Sequence, residues 1–168
     1  MGITLKTLHN NLVDLDAIAT VFVECFPTND KQEFRKSLTK HMTYEGFQGI
    51  VAYENSEVVG FAYGYTSLKG QYYRNLLESA LTEQQQEDWL QDCFEFVELC
   101  VKTTARKKGI GTNLHDALFQ NVTTQTAILT TQIDNLAARA MYKKLGWEEI
   151  KKPFYPGEEP YVILGKKL

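Results

Sequence analysis

The sequence has 168 residues, of which 43% are hydrophobic and 23% charged, and its formal net charge is −3. This length fits one domain, and this composition is typical of a folded globular chain rather than a disordered one. The weak acidity provides no basic surface of the kind that duplex nucleic acid selects, so we expect no nucleic-acid partner.

The N-terminal part predicts a strand and two helices. Alternation of apolar and polar residues over 2–8 indicates a short strand. Apolar residues at helical spacing over 12–26 predict a first helix, with Asp14 or Asp16 as its N-cap. The same spacing over 34–46 predicts a second helix.

A hairpin and a helical insertion are predicted next. Two β-rich runs, Gln48–Tyr53 and Val58–Tyr65, flank a polar four-residue turn and predict an antiparallel hairpin. The following segment, about residues 67–92, is rich in Gln and Glu and contains Thr82-x-x-Gln85, the spacing of a capping box. We interpret this segment as a helical insertion and expect it to form a lid or to contact a partner.

A β-loop-α-β unit follows the insertion. Its first strand, Phe94–Val101, is the strongest strand signal in the chain, and a basic loop and a helix from Ile110 come after it. The second strand is Ala127–Thr131. The two strands should be parallel, with a right-handed crossover.

The last predicted helix covers Leu136–Leu145. Asp134 or Asn135 would cap its start, and Gly146 would end it as the C′ residue. The residues expected on its buried face are Ala137, Ala140, Met141 and Leu145. Two closing strands are predicted at 147–150 and 161–165, joined by a turn that contains Pro153.

The cysteines, the histidines and the hydropathy pattern indicate the cellular location of the protein and whether it binds a metal. The three cysteines, Cys25, Cys93 and Cys100, are odd in number and lack C-x-x-C spacing, so neither a disulfide framework nor a zinc site is predicted. The three histidines are never at metal-ligand spacing, and we expect no metal. The N-terminus has no uninterrupted apolar segment, and no apolar run reaches about 18 residues. We therefore expect a cytoplasmic protein that neither spans nor binds a membrane.

Two glycines lie between a predicted strand and a predicted helix. Backbone N–H groups and the positive helix end at Gly109 and Gly111 can hold phosphate oxygens. The dinucleotide fingerprint fails because Leu114 stands where a third glycine or alanine is needed, and no P-loop motif occurs. The alternative is a tight helix entry in which the glycines serve only steric needs.

Two linked motifs resemble one family. The run from Val101 to Thr112 has the spacing [RQ]-x-x-G-x-[GA], starting at Arg106, and resembles the acetyl-CoA loop of the Gcn5-related N-acetyltransferase (GNAT) superfamily. Leu99-Cys100-Val101 is similar to the family's L-x-V strand end. A second family element, N-x-x-A-x-x-x-Y-x-x-x-G-[FW], is matched from Asn135 to Trp147. The resemblance covers roughly residues 94–150.

The resemblance implies a fold and an activity. It implies a single domain over 1–168 with the acyl-CoA N-acyltransferase fold, a mixed α/β fold with a mostly antiparallel sheet flanked by helices. The implied activity is transfer of an acetyl group from acetyl-CoA, without a metal, to a primary amine of a small molecule or peptide by direct attack in a ternary complex. The alternatives are a longer acyl-CoA, a peptide N-terminus as acceptor, and a non-catalytic CoA-binding regulatory or interaction module. We also consider a homodimer.

The resemblance also implies a set of coenzyme contacts. The residues implied are Leu99, Cys100, Val101, Arg106, Lys107, Lys108, Gly109, Ile110, Gly111, Thr112, Asn135 and Tyr142. Lys107 and Lys108 would neutralise the diphosphate, and the Thr112 hydroxyl would add a hydrogen bond at the helix start. Backbone groups of the strand end would bond the pantetheine arm, with an amide near Cys100 facing the thioester oxygen. The alternative for the two lysines is a solvated basic turn.

The candidate catalytic residues are Tyr142, Glu95 and Glu98. In the family, the tyrosine donates a proton or a hydrogen bond to the departing thiolate; the alternative is a boundary tyrosine bonded to backbone. An amine acceptor must also lose a proton. Glu95 matches the base of the histone-acetylating branch, and Glu98 lies near a substrate-facing carboxylate of other branches. The odd spacing puts them on opposite faces of a regular strand, and the alternative for either is a solvated or helix-paired carboxylate. A rival mechanism would acetylate Cys100 first.

Overall fold

The computed structural model describes residues 2–168. The elements in chain order are β1 (Ile3–Thr7), α1 (Leu12–Cys25), α2 (Lys31–His41), β2 (Gln48–Glu54), β3 (Glu57–Thr66), α3 (Tyr72–Ala80), α4 (Glu83–Trp89), β4 (Cys93–Val101), α5 (Ile110–Phe119), β5 (Thr126–Gln132), α6 (Leu136–Lys144), β6 (Glu148–Phe154) and β7 (Tyr161–Lys167). The seven strands are ordered β1-β2-β3-β4-β5-β7-β6, and the β4–β5 pair is parallel. The predicted mixed α/β class, with a mostly antiparallel sheet, is confirmed.

The chain divides into two compact units. The first unit holds the chain up to Tyr65 together with Val97–Val122, and the second holds Thr66–Phe96 and Thr123–Leu168. Strand β4 belongs to both, because the division falls between Phe96 and Val97. The single domain expected from sequence stays a prediction. Within residues 2–168, no helix is both long enough and apolar enough to cross a membrane.

The core of the first unit is built from α1, α2, β2 and β3. Side chains such as Ile18, Leu38 and Phe61 are inaccessible to solvent and form one apolar cluster. Burying a side chain of this size contributes roughly 1.5–3 kcal/mol, so the cluster holds the helices on the strands. The predicted hairpin is confirmed: Asn55 (φ 52°) and Ser56 (φ 66°) form a left-handed two-residue turn whose twist suits paired strands.

The N-cap predicted for α1 is wrong. Asn11 caps the helix, and its side-chain oxygen accepts a hydrogen bond from the Asp14 N–H. An N-cap bonds the amide of the third helical residue, which places Asp14 inside the first turn. There its charge still favours the positive end of the helix.

The insertion is helical, as predicted, and it supplies the core of the second unit. Thr82 and Gln85 form the predicted capping box at the start of α4. The buried leucines of the insertion pack with residues of β4, β5, β6 and β7; the cluster contains Leu77, Leu81, Leu90, Cys93, Ile128, Phe154 and Ile163. The apolar residues of α3 and the α3–α4 connection therefore have a structural use.

Two predictions for the C-terminal part need correction. On α6, Ala137 and Ala140 are exposed, and Tyr142 is instead the buried residue of the helix. Met141 and Leu145, also expected to be buried, are partly exposed. Pro153 lies inside β6 rather than in the turn. Because β6 is the last strand of the sheet, the missing N–H of a proline is tolerated there.

Candidate functional site

The end of β4 leads into the basic loop. The described pairing of β4 with β5 covers Cys93–Glu95 and Thr126–Ile128, and β4 continues to Val101. On its other side the strand end is held by β3: the Lys102 N–H donates to the Val59 carbonyl over 2.8 Å. Gly60 permits this approach, since a Cβ there would lie 2.8 Å from the Cys100 carbonyl oxygen. The backbone of β4 is thus firmly placed where the loop begins.

The loop enters α5 through two left-handed residues. Lys107 has φ 64° and Gly109 has φ 77°. A Cβ at Gly109 would meet nothing within 4 Å, so glycine is needed there for its backbone conformation and not for space. Gly109 is the N-cap residue of α5, and no side chain caps the helix. The first N–H groups of α5 therefore lack a side-chain acceptor at the positive end of the helix dipole, an arrangement that suits an anion.

The three cations of the loop, Arg106, Lys107 and Lys108, differ in their contacts. Lys108 forms an ion pair with Glu54, with 3.2 Å between Nζ and the carboxylate oxygen. An exposed pair of this kind contributes only about 0–1 kcal/mol, so it can be exchanged for another anion at little cost. Arg106 turns back instead, and its Nε donates to the Val101 carbonyl over 3.1 Å. Arg106 therefore fixes the start of the loop, and the coenzyme contacts expected of all three cations stay predictions.

The two candidate carboxylates lie in different environments. Glu98 is a partly exposed residue of the first unit. Burial of its carboxyl group raises its pKa from 4.5 to about 8, and the charge of nearby Cys25 acts in the same direction. Glu95 belongs to the second unit and is 4% exposed. A carboxyl group with a pKa near 8 is matched to proton transfer close to neutral pH.

Cys25, to which the sequence analysis assigned no chemistry, lies beside the loop. Its Sγ accepts a hydrogen bond from Arg106 Nη2 over 3.7 Å. The interaction with Cys100 and, to a smaller extent, Arg106 lower the pKa of Cys25 to about 6 against the opposing effect of burial. The same interaction and burial raise the pKa of Cys100 well above its usual value. Cys100 is therefore a poor nucleophile, which disfavours the rival mechanism.

The second motif builds the two ends of α6. The Asn135 side-chain oxygen accepts from the Ala138 N–H over 3.2 Å, so the N-x-x-A spacing is that of an N-cap and the amide it bonds. At the other end Gly146 has φ 93°, and the Trp147 N–H donates to the Tyr142 carbonyl over 3.0 Å. Most of this motif is accounted for by the helix itself.

Tyr142 packs within an aromatic cluster of the second unit. Its ring centroid lies 6.2 Å from that of Phe96 and 6.0 Å from that of Trp147, both in edge-to-face geometry. The residue is 8% exposed, so the ring is packed in the interior of this unit. Tyr142 and Asn135 thus belong to the second unit, whereas the loop and Glu98 belong to the first.

No metal centre is present in the part of the chain that the structure describes. Among residues 2–168, no group of three or more His, Cys, Asp or Glu side chains is arranged to hold a metal ion.

Comparison with known proteins gives one family match and many similar folds. The family model described as the acetyltransferase (GNAT) family matches residues 15–147. No curated protein matches the sequence at a significant level. An aminoglycoside 6'-N-acetyltransferase complexed with coenzyme A has 18% sequence identity to this chain, covering 98% of this chain and 96% of its own, with a TM-score of 0.73.

Two further solved structures are of proteins that are named as acetyltransferases of ribosomal proteins. The ribosomal-protein-S18-alanine N-acetyltransferase from Escherichia coli has 18% identity, 99% and 94% coverage, and a TM-score of 0.67. The ribosomal-protein-alanine N-acetyltransferase from Brucella melitensis has 18% identity, 98% and 99% coverage, and a TM-score of 0.72. At these identities the likeness shows the fold alone.

Proposed function

The chain belongs to the acetyltransferase (GNAT) family, as its two motifs predicted, and on that premise we propose that it is an acetyl-CoA-dependent N-acetyltransferase acting on a primary amine. The observation that carries the proposal is the start of α5. Gly109 adopts the left-handed conformation there, no side chain caps the helix, and two exposed lysines precede its first amides. This arrangement fits a diphosphate.

The residues of the loop would hold the coenzyme by its phosphates. The amides of Ile110, Gly111 and Thr112 would donate to phosphate oxygens, and Lys107 would add charge. Lys108 would exchange its contact with Glu54 for a phosphate. Backbone groups of Leu99 and Val101 would bond the pantetheine arm. When bound, acetyl-CoA would supply the thioester carbonyl that a deprotonated amine attacks directly.

Glu98 would accept the proton that the amine must lose. With a pKa near 10.4, only about one amine in a few thousand is neutral at pH 7, which corresponds to roughly 4–5 kcal/mol. The raised pKa of Glu98, about 8, makes its ionised form a stronger base than an ordinary carboxylate. Glu98 would take the proton directly or through one water.

Tyr142 would stabilise the departing thiolate. Its hydroxyl would donate a hydrogen bond to the coenzyme sulfur. A phenol has a pKa of about 10 and a thiol one of about 8.5, so full proton transfer to the thiolate is uphill by roughly 2 kcal/mol. Donating a hydrogen bond to the thiolate avoids this free-energy cost. The aromatic packing around Tyr142 would keep the ring in one orientation.

The acceptor would be a small molecule or a peptide that carries a primary amine. Proteins of this fold are named for acetylating aminoglycosides and a ribosomal-protein alanine, so the fold is compatible with both kinds of acceptor. The cytoplasmic location and the homodimer stay predictions.

The test is an acceptor-panel assay. Purified protein is incubated with acetyl-CoA and polyamines, amino acids, aminoglycosides or peptides, and release of the coenzyme thiol is followed. We expect amine-dependent thiol release with at least one class, and mass spectrometry should show an added acetyl group on the amine. Propionyl-CoA and longer acyl-CoAs in parallel would expose a preference for another acyl group. Binding of acetyl-CoA without release across the panel would favour the non-catalytic module.

A further inference from the structure

Two cysteines that are distant in sequence meet in the first unit. Cys25 ends α1 and is partly exposed, whereas Cys100 lies in β4 and is 3% exposed. Cys25 packs against the apolar cluster that contains Cys100. Cys25 Sγ also lies 3.5 Å from the Val101 carbonyl oxygen, so α1 ends against the backbone next to Cys100. The two cysteines therefore lie on elements that pack together, close enough for each thiol to change the pKa of the other.

A cation lies beside one of the two thiols. Arg106 Nη2 lies 3.7 Å from Cys25 Sγ, and Arg106 Nε is fixed on the Val101 carbonyl. A guanidinium beside a partly exposed sulfur favours the thiolate, the reactive form of cysteine. The buried Cys100 has no comparable exposure to solvent.

We propose that Cys25 and Cys100 form a redox modification site, in which a hydroperoxide oxidises Cys25 and Cys100 then closes a disulfide with it. The disulfide itself does not depend on the proposed transferase activity, whereas its effect on coenzyme binding rests on that proposed function. The class of reagent is hydrogen peroxide or a small organic hydroperoxide, which a partly exposed thiolate can reach.

The chemistry takes place in two balanced steps. The Cys25 thiolate attacks a peroxide oxygen, so that an S–O bond forms, the O–O bond breaks, and the departing hydroxide takes a proton to become water. The Cys100 sulfur then attacks the Cys25 sulfenic acid, so that the S–S bond forms and the S–O bond breaks. The hydroxide released leaves as water with the Cys100 proton. The two cysteines lose two electrons in total, and the peroxide is reduced.

The acid–base properties of the pair support this division of roles. The interaction with Cys100 and the contact with Arg106 lower the pKa of Cys25 to about 6, so it is largely a thiolate at neutral pH. The raised pKa of Cys100 keeps it a thiol until Cys25 has been oxidised. Cys93, which belongs to the second unit, is the internal comparison, because burial raises its pKa to about 12.

Oxidation should also affect the loop. The disulfide is neutral, so Arg106 would lose the thiolate that it contacts, at the residue where the basic loop begins. We expect acetyl-CoA to bind the oxidised chain at least about threefold more weakly than the reduced chain.

The experiment starts from the reduced full chain without a reductant. Hydrogen peroxide is added in increasing molar ratio, the remaining thiols are alkylated, and peptides are mapped by mass spectrometry. We expect a peptide pair joined through Cys25 and Cys100, alkylated Cys93, and a fall in titratable thiols from three to one. Dithiothreitol should restore all three. Cys25 should be alkylated at least about tenfold faster than Cys93 at neutral pH.

Matched variants separate the roles of the thiols. Cys93→Ser should form the bridge as the wild type does. Cys25→Ser should abolish it, and Cys100→Ala should leave a Cys25 sulfenic acid that dimedone traps. Peptide maps of the wild type that contain over-oxidised Cys25 without a bridge, or equal alkylation of Cys25 and Cys93, would overturn the proposal even if a variant does not fold. A bridged chain that binds acetyl-CoA as the reduced chain does would overturn the effect on the loop.

Discussion

The starts of α5 and α6 match motifs of one family, yet they differ in how their backbone groups are satisfied. At α5, Gly109 is the N-cap residue and no side chain bonds the first amides. At α6, Asn135 caps the helix by accepting from the Ala138 amide. The first helix start has donors to offer to a ligand, whereas the second uses its own side chain. Two motifs that match the family equally well therefore differ in what they indicate about ligand binding.

The loop before α5 and helix α6 also differ in how deeply their residues are buried. Lys107, Lys108 and Gly109 of the loop are exposed, whereas Tyr142 packs against Phe96 and Trp147. Substitutions in the loop should thus change ligand binding and leave folding intact. Substitutions on α6 should affect stability, unless the hydroxyl or amide that they remove has a role in the reaction.

The largest effect is expected at the open helix start. Gly111→Asp adds an anion where the diphosphate would lie, and it should weaken acetyl-CoA binding on the order of 100-fold. The melting temperature should not fall, because an acidic residue in the first turn of a helix is favourable. Calorimetry with acetyl-CoA and a thermal melt measure both quantities.

The matched control is Gly157→Asp, at a glycine where a Cβ would meet nothing within 4 Å. It adds the same charge in the turn between β6 and β7 and should leave affinity unchanged. If Gly111→Asp binds acetyl-CoA as tightly as the wild type, the coenzyme does not use the start of α5.

A smaller effect, confined to turnover, is expected at Tyr142. Tyr142→Phe keeps the ring and its contacts with Phe96 and Trp147, and removes only the hydroxyl. Losing a hydrogen bond to a developing thiolate costs on the order of 1.5–3 kcal/mol, so kcat should fall roughly ten- to a hundredfold. Acetyl-CoA affinity and melting temperature should stay close to wild type. A fall in melting temperature with unchanged kcat would show that the hydroxyl is structural.

Glu98→Gln should remove a step in the pH dependence. Because the pKa of Glu98 is about 8, its basic form becomes populated as pH rises through that value. The ratio of wild-type to variant kcat/KM should rise about tenfold between pH 7 and 9. The ratio cancels the ionisation of the amine, which is common to both proteins. A ratio that does not change with pH would exclude Glu98 as the base.

The raised pKa of Glu98 has a consequence for stability with a definite sign. The folded chain binds this proton more tightly than the unfolded chain does, whose carboxyl group titrates near 4.5. Its contribution is fully present below that value and is lost as pH rises through about 8. Wild-type stability should therefore decline over this range relative to Glu98→Gln, and thermal melts of both proteins from pH 4 to 9 measure the difference.

The smallest effect is expected at the capped helix. Asn135→Ala removes the side chain that accepts from Ala138 and should cost about 1 kcal/mol, or roughly 2–4 °C in melting temperature. Asn135→Asp keeps a capping oxygen and is the control. Unchanged acetyl-CoA affinity would confirm that the cap accounts for the motif asparagine. A tenfold loss of affinity with a normal melting temperature would instead support the coenzyme contact that the family resemblance implies.

The elements of the fold were predictable wherever their signals are local. The Thr82–Gln85 capping box and the left-handed Asn55-Ser56 turn each depend on a few adjacent residues, and both formed where expected. Local competition explains the error at α1. Asn11, Asp14 and Asp16 are all good capping residues, and the sequence does not show which of them the preceding chain places before the first turn.

The sequence by itself determined the family, the strand-loop-helix order and the glycine of the loop, because backbone conformation depends on near neighbours. Only the tertiary structure decided the charges of the site. Lys108 meets Glu54 from 54 positions away, and Arg106 meets Cys25 from 81 positions away. The pKa of Glu98 likewise depends on burial that no motif encodes. Desolvation and charge contacts act through space, so they are set when packing brings distant segments together.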